Sequence, residues 1–424
     1  MNSMYRLLTC AACVSALFAP QIVRADDLDA LSLESAPVAA TPAQTLPHTR
    51  LFIEGVVGRI AQRYGLPTLD AHRLSIDFSH SAKLGSGWRA AVSDRLDNLS
   101  PTGGDESPTL NSLREAYASW QDDAGSNVLE FGRINLRHGT AYGYNPTDVF
   151  RDGSLRAVTS VDPIAQRENR MGTVMLRGQH IAPSGTLAVA LAPKLVSSPS
   201  TSSFSLDLGA TNNRNRAVLS YSSQYSDRIS GQLLLTYDDV RGSQVGASMT
   251  ALLSDAAAAH LEFSRGRDDN LLAQALAQAA PREQRNRAAA GLTYSTASRL
   301  SLTAEYEYNG FAPSQASWTQ ASLNNPNALA QFLIETQRRQ ENSSRGSYLV
   351  YATQKSLLVK NLDLTALLRL NADDHSRLAW LEMRYHWEHT DVALQWQQTS
   401  GRNGSEYGLV PYRQSIQLLG AYYF

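Results

Sequence analysis

The sequence predicts an all-β protein, a transmembrane antiparallel β-barrel of about 18 strands (range roughly 16–18). Three observations carry this. Apolar and polar residues alternate at period two along most of the chain, tight connections alternate with long ones, and no apolar run after residue 25 is long enough for a membrane-spanning helix.

The alternation is plain in several segments. Leu74, Ile76 and Phe78 alternate with Arg73, Ser75, Asp77 and Ser79; Leu302, Ala304, Tyr306 and Tyr308 with Thr303, Glu305 and Glu307; Leu381, Met383, Tyr385 and Trp387 with Glu382, Arg384 and His386. A soluble sandwich would show the same pattern, so the connections decide. Strands are expected near 51–61, 72–80, 85–96, 111–121, 127–136, 169–178, 185–194, 215–224, 228–238, 244–253, 256–265, 287–296, 298–309, 345–354, 360–370, 377–387, 389–398 and 413–424. Every second connection is then tight, as at Ser254-Asp255, Thr296-Ala297 and His389-Thr390, whereas 137–168, 196–214, 266–286, 310–344 and 399–412 are long. Short turns on one rim and long loops on the other are the mark of an outer-membrane barrel, and a sandwich has no reason to keep that parity. Tyr237, Tyr308, Trp387 and Trp396 fall near expected strand ends, as an aromatic girdle requires. In the last strand Ile416, Leu418, Gly420, Tyr422 and Phe424 would face lipid, and a terminal strand ending in Tyr422 and Phe424 resembles the assembly signal read by the barrel assembly machinery.

The first residues read as an address. Arg6 precedes the apolar run Leu7 to Phe18, and Val23-Arg24-Ala25 ends in a small residue, so residues 1–25 are expected to be a cleaved secretory signal peptide. Both cysteines, Cys10 and Cys13, lie in that segment, which leaves the mature chain without disulfide or thiolate chemistry. Residues 26–50 are rich in Ala, Pro, Ser and acid and read as a flexible periplasmic tail, with 26–49 able to engage a periplasmic partner. The barrel would occupy 51–424.

The 424-residue chain has a formal net charge of −1, which gives no electrostatic case for binding nucleic acid. No nucleophile motif accompanies His386, His389 and Ser376, and neither the His260/Glu262 pair nor Asp373-Asp374-His375 has a recognised ligand spacing, so no enzyme, cofactor or metal is expected. Inward positions include Arg73, Asp77, Arg89, Glu115, Gln232, Asp238, Glu262, Arg287, Glu305, Glu307, Asp363, Arg369, Glu382 and Arg384. A lumen of mixed charge can be cross-braced by ion pairs or, in a barrel of about 18 strands, can line a water channel. Two loop segments read as helices, 269–280 and 326–339.

The most informative stretch is Gly132 to Gly172, long, arginine-dense and set between two expected strands. Asn145-Pro146-Thr147-Asp148 reads as a helix start, with Asn145 as N-cap, Pro146 at the first position and Asp148 facing the free amides, ahead of a short helix through Val149, Phe150 and Arg151. Leu113-Arg114-Glu115-Ala116-Tyr117, Gly132-Arg133 and Asn145-Pro146-Thr147-Asp148-Val149-Phe150 resemble segments of Gram-negative outer-membrane channels of the porin-like or alginate-export-like sort. That resemblance implies passive passage of small hydrophilic solutes, anionic ones weakly favoured by the arginines named below, through a barrel surrounded by outer-membrane lipid, with export of a polysaccharide or small molecule alongside periplasmic partners, or a non-conducting barrel (enzyme or adhesin), as the alternatives. It also implies, by position, that 137–168 is the loop that narrows the channel. The expected constriction has Arg133, Arg137, Arg151, Arg156, Arg167 and Arg170 on its positive side and Asp148, Asp152, Asp162 and Glu168 opposite.

Overall fold

The computed structural model describes residues 48–100 and 108–424; the expected signal peptide and nearly all of the expected tail lie outside them. In chain order the strands are β1 (His48–Gln62), β2 (Leu69–Gly85), β3 (Trp88–Ser100), β4 (Thr109–Gln121), β5 (Asn127–Ile134), β6 (Thr173–Ala182), β7 (Gly185–Ala192), β8 (Arg216–Ser226), β9 (Ile229–Asp238), β10 (Gly242–Ser254), β11 (Ala257–Asp268), β12 (Glu283–Ser295), β13 (Leu300–Asn309), β14 (Gly346–Gln354), β15 (Leu362–Asn371), β16 (Arg377–His386), β17 (Thr390–Ser400) and β18 (Tyr412–Tyr423). Each pairs antiparallel with its sequence neighbours, and β1 closes on β18 from Phe52↔Tyr423 to Gln62↔Tyr412. Closure leaves no free edge, which a sheet immersed in lipid requires.

The wall is turned inside out relative to a soluble core. On β11, Leu261 and Phe263 are exposed at 47% and 37%, while His260 and Glu262 between and beside them are buried. On β18, Ile416, Leu418 and Tyr422 point outward and Leu419 and Ala421 are buried, in the expected register. Tyr237 and Trp387 stand exposed at strand ends, but Trp396 sits in the middle of β17 and is no girdle residue. The tight rim includes the two-residue turn Ser86-Gly87, both with positive φ (47° and 80°), a combination that suits a hairpin turn and that glycine tolerates at no cost.

Several boundaries differ from expectation, two of them with consequences for the site. Strand β1 begins at His48, inside the segment read as tail, because His48 to Arg50 pair with Ser81 to Ser79. Strand β6 begins at Thr173 rather than at 169, because a preceding helix, α1 (Pro163–Glu168), ends on Asn169. The long rim carries α2 (Leu208–Thr211), α3 (Leu271–Ala275), α4 (Gln315–Asn324), α5 (Pro326–Arg339) and α6 (Glu406–Leu409). Of the helical loop segments, 326–339 is as expected, 269–280 shrinks to α3, and α4, capped by Ser314, was not anticipated. Leu272, Trp318, Ala321, Leu329 and Phe332 from α3 to α5 form their own apolar cluster over the barrel mouth.

Strand β5 is short, and its shortness shapes the site. It covers β4 only from Ala116 to Gln121, so the upper part of β4, paired with β3 on one side, has no strand on the other. Loop backbone takes that place: Gly172 N–H donates to Arg114 O at 2.8 Å and Asn111 N–H to Ser203 O at 2.8 Å.

Candidate functional site

The chain released between β5 and β6, residues 135–172, folds into the lumen and crosses it. The β pleat aims alternate side chains inward, so Glu262 on β11 and Glu305 and Glu307 on β13 meet the loop from the wall. Glu262 accepts hydrogen bonds from the amides of Thr140, Ala141 and Thr147 at 3.1, 3.2 and 2.7 Å and from the Thr147 hydroxyl at 2.7 Å. Glu305 accepts the amides of Tyr142 and Gly143 at 2.8 and 3.0 Å and faces His260 Nε2 at 2.8 Å. Glu307 is held by Ser347, Asn342 and Arg369, and Arg369 also donates to Gly143 O at 2.8 Å. Successive loop amides thus replace water around carboxylates that would be very costly to bury bare. Glu262 is the sixth of twelve residues in β11, which sets the contact at mid-height.

The close approach explains two glycines. A Cβ on Gly139, which has φ +92°, would lie 2.5 Å from the Glu262 carboxylate, and one on Gly143 would overlap Glu307 and Arg369. Apolar packing fixes the rest of the loop. Phe150 sits among Ile134, Met175, Ala190, Ala192, Val218 and Leu234, and Tyr142 and Val161 pack on Leu349, Tyr351, Leu367 and Trp380. From the other side Arg73 on β2 donates to Thr159 O at 2.8 Å. One loop therefore touches β2, β6 to β9, β11 and β13 to β16.

The expected helix at Asn145 is absent; 146–147 and 149–150 are turns. The cap groups have other partners: Asn145 Nδ2 donates to Ala141 O at 2.6 Å, the Thr147 amide goes to Glu262, and Asp148 pairs with Arg170 at 2.7 Å. The helix forms instead at α1, where Asp162 is the N-cap, accepting from Ile164 N at 3.1 Å, and Pro163 opens the first turn.

The ten expected constriction residues divide into braces and lining. Arg170 and Asp148 are a buried pair with side chains 2% and 1% exposed, a geometry in which removing one partner costs about 3–5 kcal/mol. Arg151 pairs with Glu341 at 2.5 Å and also bonds Asn145 O. Asp152 collects Arg214, Arg241 and Arg338 at 2.6, 2.7 and 3.1 Å. Arg133 bonds Gly172 O, Leu206 O and Thr211, and Arg156 bonds Asn111 O and Ser205 O, so both secure loops at the gap beside β4. The remaining four are less committed. Arg137 and Glu168 are exposed, Arg167 is part-buried with, among the described residues, the carbonyls of His138, Gly139 and Ala141 as its hydrogen-bond partners, and Asp162 is part-buried beside Tyr351. Towards the tight rim, the inward side chains Arg89, Glu115, Glu130, Arg177, Gln179, Arg384 and Gln395 keep partial exposure.

Loop electrostatics follow from these partners. Burial works to raise the carboxyls of Asp148 and Asp152, but Arg170 and Arg167 overcome it for the first and Arg241, Arg214 and Arg338 for the second, holding both below the usual range. Asp162 has no such cation, and burial pushes it up to about 6. Burial also drops His138 to about 4, so it is neutral at ordinary pH.

No family model and no curated protein matches the sequence. Among solved structures, Acinetobacter baumannii OccAB1 has 9% identity, covers 89% of this chain and 96% of its own, and gives a TM-score of 0.59. OccAB4 from the same organism has 8% identity, covers 90% and 99%, and gives 0.57. A mutant of Rh. blastica porin has 11% identity, covers 89% and 100%, and gives 0.44. The fold is that of a porin-like barrel.

In this porin-like barrel the residues weighed above for catalysis are kept apart. Ser376 precedes β16 at the long rim and accepts from Tyr407 N, whereas His386 ends β16 at the tight rim between Asp391 and Asp363. His260 is spent on Glu305 and Glu262 on the loop, and among the described residues no group of three His, Cys, Asp or Glu is placed to hold a metal. Sequence reasoning missed the wall cluster of Glu54, Arg95, Asp97 and Arg114 around Asp77, in which Arg114 meets Asp77 at 2.6 Å and Arg95 meets Glu54 at 2.9 Å. Its signal was available, since these residues alternate with outward apolar ones on β1, β3 and β4, but the bulge between Ser93 and Asp94 shifts the register and hides it.

Proposed function

We infer that the protein is an outer-membrane channel for passive diffusion of small hydrophilic solutes. The observation that carries this is the loop pinned at mid-height by wall carboxylates, with part-exposed polar side chains below it. These side chains keep partial exposure even where they are paired, as Arg177 with Glu130 at 2.7 Å and Arg384 with Glu382 at 2.8 Å; a loop that narrows a still-hydrated lumen sets a bore. Arg137 is exposed, and neither it nor Arg167 has a carboxylate within ion-pair distance among the described residues, so these are the loop cations least neutralised by a direct partner, and they give the bore a weak preference for anions. Neighbouring Glu168 and Asp162 limit that preference.

Planar-bilayer recording of the folded protein tests the reading. Discrete conductance steps are expected, and Arg137→Gln with Arg167→Gln should move the reversal potential in a salt gradient towards cation preference. A folded barrel that never conducts sinks the channel; steps with unaltered selectivity remove only the two arginines from the filter.

A further inference from the structure

The outward face of β11 changes character abruptly towards the long rim. Leu261 and Phe263 are lipid-facing, and the next two outward positions are Arg265 and Arg267, both exposed. On β12 the cross-strand partners of these arginines are Asn286 and Gln284, and on β10 the partner of Arg265 is Val245, exposed at 49%. Among the described residues neither arginine has a carboxylate within ion-pair distance; Arg265 has only Asn286 Oδ1 at 3.1 Å. The nearby acids are already used, Glu283 by Arg285 and Asp269 by Arg282. Two arginines on one face, their backbone positions about 6.6 Å apart along the strand, are thus left without counterions where the apolar belt ends.

We propose that Arg265 and Arg267, with Asn286 and Gln284, bind the phosphate headgroup of an anionic lipid whose acyl chains lie on Leu261, Phe263 and Val245. The planar guanidinium fork matches phosphate oxygens two at a time, and the amides of Asn286 and Gln284 supply further donors. The apolar belt directly below favours an amphiphile over a free phosphate, because only an amphiphile satisfies both surfaces at once. The site lies on the outside of the wall. It rests on the barrel sitting in a membrane and is independent of whether the lumen conducts.

The test is native mass spectrometry of the detergent-solubilised full chain titrated with phosphatidic acid, with phosphatidylcholine and inorganic phosphate as separate arms. Phosphatidic acid should bind the unaltered protein, and Arg265→Gln with Arg267→Gln should weaken that binding by about 30-fold, taking the usual contribution of each surface cation. Phosphatidylcholine binding should not change, and Arg377→Gln, an exposed arginine elsewhere on the long rim, should leave phosphatidic acid binding intact. Equal binding by the double variant overturns the site, equal loss with Arg377→Gln reduces it to general charge, and full displacement of the lipid by equimolar inorganic phosphate reassigns it to free phosphate. Heat-modifiable gel mobility establishes that each variant is folded.

Discussion

Asp162 is the loop residue most sensitive to its surroundings. Its carboxyl is raised from 3.8 to about 6 chiefly by burial, so the folded loop prefers it protonated. Stability from this group is therefore fully present below pH 3.8 and is lost as pH rises through about 6. Allowing for its partial exposure, unfolding scans of the native protein and Asp162→Asn between pH 4 and 7 should diverge by about 1–2 kcal/mol, with the native protein losing ground as pH rises. The same ionisation places a negative charge beside the bore, so cation preference should increase through pH 6 and stay flat in the variant. Gly143 is constrained by shape instead. Gly143→Ala would push on Glu307 and Arg369, and a loss of about 1–3 kcal/mol with a noisier, larger conductance is expected. The local signals for these residues were readable only in part. Asn145-Pro146 and Asp162-Pro163 carry the same helix-start chemistry, and only the second makes a helix, because Glu262, distant in sequence, takes the Thr147 amide and Arg170 takes Asp148.

Among the elements, the strands were legible because the pleat writes itself as period two and the two rims differ in turn length. The loop was legible as a loop but not as a strap. Nothing local reveals that inward carboxylates on β11 and β13 will meet amides from 140–147, since each partner alone looks like a solvated wall residue or a flexible turn. That anchoring can be weakened one bond at a time. Glu262→Gln leaves a carboxamide facing donors on both sides, so about 2–4 kcal/mol of anchoring should go, read as faster proteolysis of the loop and a raised open-channel conductance. Arg170→Ala should cost more, because it strands Asp148 without its cation; if the two variants behave alike, the anchoring does not reside where the bonds are densest.

For the whole molecule, closure rests on the β1–β18 seam, where Phe52, Val56, Leu419 and Ala421 pack inside with Tyr423 and where Phe424 N–H donates to Leu51 O at 3.1 Å. Removing Phe424 should leave the folded barrel sound once formed but slow its appearance in the membrane, measured as the ratio of heat-modifiable to unfolded protein after a pulse; unchanged kinetics would discount Tyr422 and Phe424 as an assembly signal. Strand β5 stops early, and the gap beside β4 is sealed by backbone from 172 and 203 and by Arg133 and Arg156. The strap is consequently a continuation of the wall and has no hinge of its own. Plasticity in the proposed pore must come from side chains turning on a fixed ribbon, so single-channel traces should show small, rapid flicker around one level, without the long shut intervals that a swinging flap would impose.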